Sequence, residues 1–126
     1  METSLPQVGN TPLIKVDGIY VKLECVNPTG SVKDRIAKYI LEESERNGSL
    51  QKGQTIVEAT SGNTGIALAY YGREMGHPVI IVMPKNMSEE RKRIICDLGA
   101  ELILCSEEGS FAEAARIRDL MAAEKG

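Results

Sequence analysis

The unbroken apolar run Val79-Ile80-Ile81-Val82-Met83 constrains the fold more than any other stretch of the chain. It is too short for a buried helix and far too short to cross a bilayer. A strand covered on both faces reads this way. Such a strand needs helices above and below it, and the flanking sequence supplies them. Residues from Ser31 to about Asn47 carry Val32, Ile36 and Ile40 at four-residue spacing, with Ala37 and Leu41 alongside, and predict a helix. Ser31 and Asp34 suit a variant capping box at its start, and Gly48 stops it. Thr55–Glu58 predicts a short strand, and a second helix runs from the loop Ala59–Gly65 to about Met75, closed by Gly76. Pro84 ends the apolar strand. Ser88-Glu89-Glu90 then opens a third helix with a good N-cap and an acidic first turn, Ile94, Ile95 and Leu98 forming its stripe and Gly99 its stop. Glu101–Cys105 is a further strand, and Phe111, Ala114, Ala115, Ile117, Leu120 and Met121 mark a last helix. Ahead of all these, Ile19–Glu24 alternates apolar and polar residues as a half-buried strand does. Alternating strands and helices build right-handed crossover units, so the expected class is α/β, a three-layer αβα arrangement around a mostly parallel sheet.

Charge and cysteine content narrow the function. Fifteen basic residues against eighteen acidic ones leave a net charge of -3. No basic block stands out, which argues against nucleic acid and anionic membrane as partners. The opening METSLPQVGN has neither the basic head nor the apolar core of a secretory signal, so a cytoplasmic location is expected. Cys25, Cys96 and Cys105 form no C-x-x-C pair and are expected to be buried, reduced thiols. The lone histidine, His77, lies in a Gly-His-Pro turn, and no metal site is expected.

Ligands of open α/β sheets sit beyond the carboxyl ends of the strands. Two loops answer to that position, Cys25–Ser31 and Ala59–Gly65. In the second, Thr60-Ser61-Gly62-Asn63-Thr64-Gly65 joins a strand to a helix. Its glycines let the backbone approach a ligand, and a helix start presents unpaired N–H groups and partial positive charge, suited to a carboxylate or phosphate. The same residues would equally make an ordinary well-capped helix start, and the residues alone leave both readings open. In the first loop, Asn27-Pro28-Thr29-Gly30-Ser31 leads to Lys33 in the opening turn of a helix. The helix dipole disfavours an ammonium there and favours the neutral amine, the form that attacks a carbonyl. A lysine facing an anion-binding loop suits pyridoxal phosphate chemistry.

Together, NPTGSVKDR (residues 27–35) and EATSGNTGIALA (residues 58–69) resemble the cysteine synthase and cystathionine β-synthase family of fold type II pyridoxal-phosphate enzymes. The resemblance extends to Gly9-Asn10-Thr11-Pro12-Leu13, to Met83-Pro84 with Met87-Ser88 and Glu90-Arg91, and to Gly99-Ala100-Glu101-Leu102, in the family's order. It implies that Lys33 holds pyridoxal 5'-phosphate as a Schiff base and moves the substrate's α-proton. It further implies that Asn63 bonds the cofactor's ring oxygen, and that Thr60, Ser61, Gly62 and Thr64 grip the amino acid's carboxylate. The reaction implied is β-replacement on an activated serine, O-acetylserine plus sulfide giving cysteine and acetate through an aminoacrylate. A homodimer and a serine acetyltransferase partner are implied at the same level.

On the same resemblance, residues 1–30 are leading strands that pack with a larger domain, and residues 31–126 correspond to the smaller amino-terminal domain. The family's phosphate-binding loop and its partner for the pyridine nitrogen have no counterpart in this sequence, so the chain reads as a truncated piece of such an enzyme whose activity alone is in doubt. Two rivals stand beside this reading. A flavodoxin-like FMN module also uses a TSGNTG-type loop, but after its first strand and with aromatic residues that are scarce here. A non-catalytic remnant of the fold is the other, disfavoured by the presence of both Lys33 and Asn63.

Overall fold

The computed structural model describes residues 7–106, 108 and 110–125. The first six residues of the leading segment and the closing Gly126 lie outside the described residues. The elements, in order, are β1 (Leu13–Val16), β2 (Ile19–Lys22), α1 (Lys33–Arg46), β3 (Ile56–Ala59), α2 (Asn63–Glu74), β4 (Val79–Pro84), α3 (Glu89–Asp97), β5 (Glu101–Cys105) and α4 (Ser110–Lys125). Strands β3, β4 and β5 form a parallel sheet in that order, with Ile56 opposite Val79 and Ile80 opposite Glu101. The αβα class is therefore as the sequence predicts.

The apolar run is the centre of the sheet. Every residue of β4 is buried. One face packs Val79, Ile81 and Met83 against Ile66 and Ala69 of α2 and Ile95 of α3. The other packs Val82 with Cys105 and Ala114, under Ile117 and Met121 of α4. The stops are where the glycines stand: Gly48, Gly76 and Gly99 all have the positive φ that closes a helix at little cost to glycine. Ser88 caps α3 by accepting the Arg91 N–H at 3.3 Å.

Helix α1 departs from its expected orientation. Val32, Ile36 and Ile40, the predicted stripe, are 47%, 44% and 50% exposed, while Ala37 and Leu41 are buried with Asp34. The helix lies on α2, where Ala37 and Leu41 meet Ala67, Leu68 and Tyr71. The small Ala37 and Ala67 allow the two helices to approach closely. Periodicity marks an apolar face but not which face finds a neighbour. The capping box is also absent: the N-cap position is Val32, and Asp34 reaches back to Thr29. At the far end of α1, buried His77 bridges Glu45 (Nε2 to Oε1, 2.5 Å) and the Gln54 carbonyl (Nδ1, 2.9 Å), tying the helix to the segment before β3.

The leading segment holds two strands where residue patterns predict one. Asp17 and Gly18, both at positive φ, make the tight turn joining β1 and β2, and Leu13 pairs with Lys22. An Asp-Gly pair between β-rich runs is the sequence signal for this hairpin. All of β1 and β2 is exposed, so the half-buried strand expected at Ile19–Glu24 is corrected: it ends at Lys22, and neither of its faces is buried. The thiols are reduced, yet only Cys105 is buried; Cys25 and Cys96 are exposed.

Close packing of α2 on the sheet rests on Gly72, where a Cβ would stand 2.4 Å from Cγ2 of Val79 and 3.3 Å from Cδ1 of Ile56. Gly72→Ala is expected to destabilise the chain by up to about 2 kcal/mol, the overpacking cost of about 1–3 kcal/mol being offset in part by the roughly 1 kcal/mol gain in helix propensity. Urea unfolding with an unchanged slope checks this; an equal or higher midpoint would show that Val79 moves aside freely.

Candidate functional site

Lys33 is the first residue of α1 and is half-buried. Its backbone N–H donates to Oγ of Ser31 at 3.2 Å. Its side-chain amine has no hydrogen bond or ion pair among the described residues. The neighbouring Asp34 does not neutralise it. That carboxylate is fully buried, accepting the Thr29 N–H at 2.7 Å, the Thr29 hydroxyl, and the Tyr71 hydroxyl at 3.4 Å. Burial, and after it the Asp34 charge, push the Tyr71 phenol well above the usual tyrosine range, which keeps it a donor.

The loop ahead of Lys33 is held from its other side by a carboxylate fork. Glu24 accepts Nε and Nη2 of Arg35, both at 2.9 Å, the Thr11 hydroxyl at 2.9 Å, and Nδ2 of Asn27 at 2.6 Å. Buried Asn27 also donates to the carbonyls of Glu24 and Ser31, each at 3.0 Å, and accepts the Gly9 N–H at 2.9 Å. The segment 9–11 and the loop 27–31 are thus tied together through two side chains, Glu24 and Asn27. Residue patterns did not single out either as organising the site. The bidentate Arg35 bonds, more than those of Thr11 and Asn27, hold the Glu24 carboxyl down to about 2.

The second loop follows β3. The Thr60 N–H donates to the Val82 carbonyl at 3.1 Å, anchoring the loop on β4. Thr60 is buried, and its hydroxyl accepts the Gly62 N–H at 3.3 Å. Gly62 is the N-cap of α2, its carbonyl accepts the Ile66 N–H at 2.9 Å, and no side chain caps the helix. The first-turn N–H groups of Asn63, Thr64 and Gly65 have no acceptor within the helix. Of the two readings the residues left open, the well-capped helix is therefore not the one observed: the hydroxyls of the loop leave the helix start open. Ser61 and Asn63 are exposed and Thr64 is half-buried. Gly65 lets α2 sit against the sheet, a Cβ there being 2.7 Å from Cγ2 of Thr60 and 3.2 Å from Cγ2 of Ile81.

Thr60, Ser61, Gly62, Asn63 and Thr64 therefore share one turn, and Lys33 belongs to another element. No hydrogen bond joins Lys33 to that turn among the described residues. The connection runs through α2, whose Tyr71 bonds Asp34. A hollow of about 310 Å³ is lined by Pro28, Thr29, Ile66, Tyr70, Ile94 and Leu98, and by neither Lys33 nor the turn. One further group at the loop was not foreseen. Arg91 of α3 donates from Nη1 to the Ser61 carbonyl at 3.4 Å. Nothing local in the sequence pairs these positions.

The Glu24 fork makes a pH prediction. A carboxyl held below its ordinary value of 4.5 contributes stability that is complete above that value and lost as pH falls towards about 2. Across that window, Glu24→Gln should flatten the acid-side fall in thermal stability. The Gly9 amide resonance should follow a titration near the lower end in the unaltered chain; a midpoint near 4.5 would mean the fork does not form.

The chain matches the model of the family described as "Pyridoxal-phosphate dependent enzyme" over residues 4–126. It is 44% identical to the cysteine synthase B of Salmonella typhimurium, over all of this chain and 44% of that protein. It is 44% identical to the cysteine synthase of Aquifex aeolicus, over 95% of this chain and 40% of that one. Among solved structures, a hydrogen sulfide-producing enzyme from Fusobacterium nucleatum superposes with a TM-score of 0.87 at 46% identity, covering 94% of this chain and 38% of that one. The cysteine synthase of Entamoeba histolytica gives 0.88 at 40% identity, over 93% and 38%. The chain thus spans roughly two-fifths of the length of the relatives it matches.

Proposed function

Because the chain belongs to the pyridoxal-phosphate dependent enzyme family, we propose that it carries the lysine and the carboxylate loop of a cysteine synthase-like β-replacement enzyme. The observation that carries the reading is the pairing of an unpartnered amine at Lys33 with a helix start at Asn63 that no side chain caps. An anion fits the second and a carbonyl the first. Pyridoxal 5'-phosphate would be held by Lys33 and Asn63, and when bound it supplies an electron sink for the carbon beside the amino acid's carboxylate. Thr60, Ser61, Gly62 and Thr64 bind that carboxylate and orient the α-carbon. Lys33 then takes the α-proton on Nζ and returns it.

The substrate proposed is an activated serine such as O-acetylserine, with sulfide as the incoming nucleophile. Domain division follows the same reading: residues 1–30 belong with a larger partner domain and residues 31–126 form the small α/β domain. The exposed apolar residues of the hairpin and of α1, among them Leu13, Ile19, Tyr20, Ile36 and Tyr39, support a covered surface in the complete assembly. A homodimer and a serine acetyltransferase partner belong to this proposal too, as does a cytoplasmic location. Among the described residues, no helix is long and apolar enough to cross a membrane.

The test is direct. Pyridoxal phosphate is added, the adduct is reduced with borohydride, and the modified lysine is mapped by mass spectrometry. Label is expected on Lys33 above the other lysines and lost in Lys33→Ala; label spread evenly over surface lysines would count against the assignment.

A further inference from the structure

The structure assigns Arg91 to the carboxylate loop as a positioning residue, an inference that rests on the reading of that loop given above. Arg91 stands in the first turn of α3, and its own backbone N–H is fixed by the Ser88 cap at 3.3 Å. Its side chain leaves α3 and crosses to the turn between β3 and α2. Nη1 donates to the Ser61 carbonyl at 3.4 Å, a contact between residues 30 apart in the chain.

The guanidinium also lies on Gly62. A Cβ at that position would stand 2.6 Å from Cδ, 2.7 Å from Nε and 3.0 Å from Cζ of Arg91. Gly62 stands at φ 163° and ψ -85°. The arginine side chain occupies the space a Cβ would take, and a side chain at 62 would displace it. Positions 62 and 91 are therefore one contact, built from two motifs that look independent in the sequence.

That contact fixes a single peptide unit from both ends. The Ser61 carbonyl is bonded by Arg91, and the Gly62 N–H, on the other side of the same planar unit, is bonded by the Thr60 hydroxyl at 3.3 Å. The direction in which the chain enters α2 is set by this plane. So is the direction in which the N–H groups of Asn63, Thr64 and Gly65 point. Among the described residues Arg91 makes no ion pair, so its charge is available to an anion on the loop. Arginine suits the task because its flat fork stacks on a peptide while donating from its edge, which a lysine ammonium cannot do.

The test uses the full chain labelled with ¹⁵N and titrated with L-serine, with L-serinamide as the control that lacks the carboxylate. In the unaltered chain the Asn63 and Thr64 amides are expected to shift with L-serine and not with L-serinamide. Arg91→Ala should weaken this carboxylate-dependent binding by about three- to tenfold, the range for one partly exposed charge-assisted contact. Arg91→Lys keeps the charge but not the flat contact and should recover only part of the loss. Gly62→Ala, which keeps the charge but displaces the side chain, should weaken binding to a similar degree, and the double variant should lose no more than either single one. Circular dichroism confirms that each variant is folded, and Arg91→Gln replaces Arg91→Ala if the latter is not. Carboxylate-dependent shifts that are equally tight in the folded Arg91 variants overturn the assignment of Arg91 alone. No carboxylate-dependent shift in the unaltered chain overturns the carboxylate reading of the loop, and this inference with it.

Discussion

Complete burial of β4 between parallel neighbours on both edges is the constraint from which the rest of the architecture follows. Parallel strands cannot be joined by tight turns, so each connection must leave the sheet, cross it as a helix and return. Apolar residues on both faces of β4 require those helices on both sides, and α2 and α3 take one face while α4 takes the other. The same geometry gathers the loops that follow β3 and β4 at one end of the sheet. This is why Thr60 can bond the Val82 carbonyl, and why an arginine at the start of α3 reaches a carbonyl at the start of α2. The site is positioned by sheet topology before any functional side chain is considered.

What the sequence discloses follows from how local each signal is. The apolar run Val79–Met83, the Ser88 cap and the glycine stops at 48, 76 and 99 are settled by a few neighbouring residues, and all appear where their chemistry requires. The loop Thr60–Thr64 is legible as a helix start, but its residues alone cannot tell a capped start from an open one. That depends on the Thr60 hydroxyl accepting the Gly62 N–H. Helix α1 shows the limit more plainly. Its sequence carries apolar residues around much of its circumference, and the side that is buried is chosen by the fit of Ala37 and Leu41 to α2. Glu24 with Arg35 and Thr11, Asn27 with Gly9, and Arg91 with Ser61 are partners 11 to 30 residues apart, so no short window of sequence contains both halves of these interactions.

The two helix starts that frame the site handle the same electrostatic problem in opposite ways. A helix N-terminus carries partial positive charge and unsatisfied donors. In α1 the compensation is internal: Asp34, buried in the first turn, places a full negative charge there while gripping Thr29. That carboxylate makes it tolerable for Lys33 to stand at the position a cation ordinarily avoids, without forming a pair that would engage its amine. In α2 no side chain compensates, and Arg91 adds a further positive charge beside the turn. The first helix start is thus balanced around a lysine whose amine stays unengaged, whereas the second remains suited to an anion from outside.

Both starts belong to one packing unit. Ala37 and Leu41 of α1 share a core with Ala67, Leu68 and Tyr71 of α2, and the Tyr71 hydroxyl bonds the Asp34 carboxylate inside that core. The bond ties the turn before Lys33 to the helix that begins at the Thr60–Thr64 loop. The spacing between the lysine and the loop is therefore a property of the α1–α2 interface, set by side chains of this chain. The proposed pairing of Lys33 with the Thr60–Thr64 turn needs that spacing to be fixed. Here it is fixed by the apolar packing of α1 on α2, with a buried polar contact to hold the register.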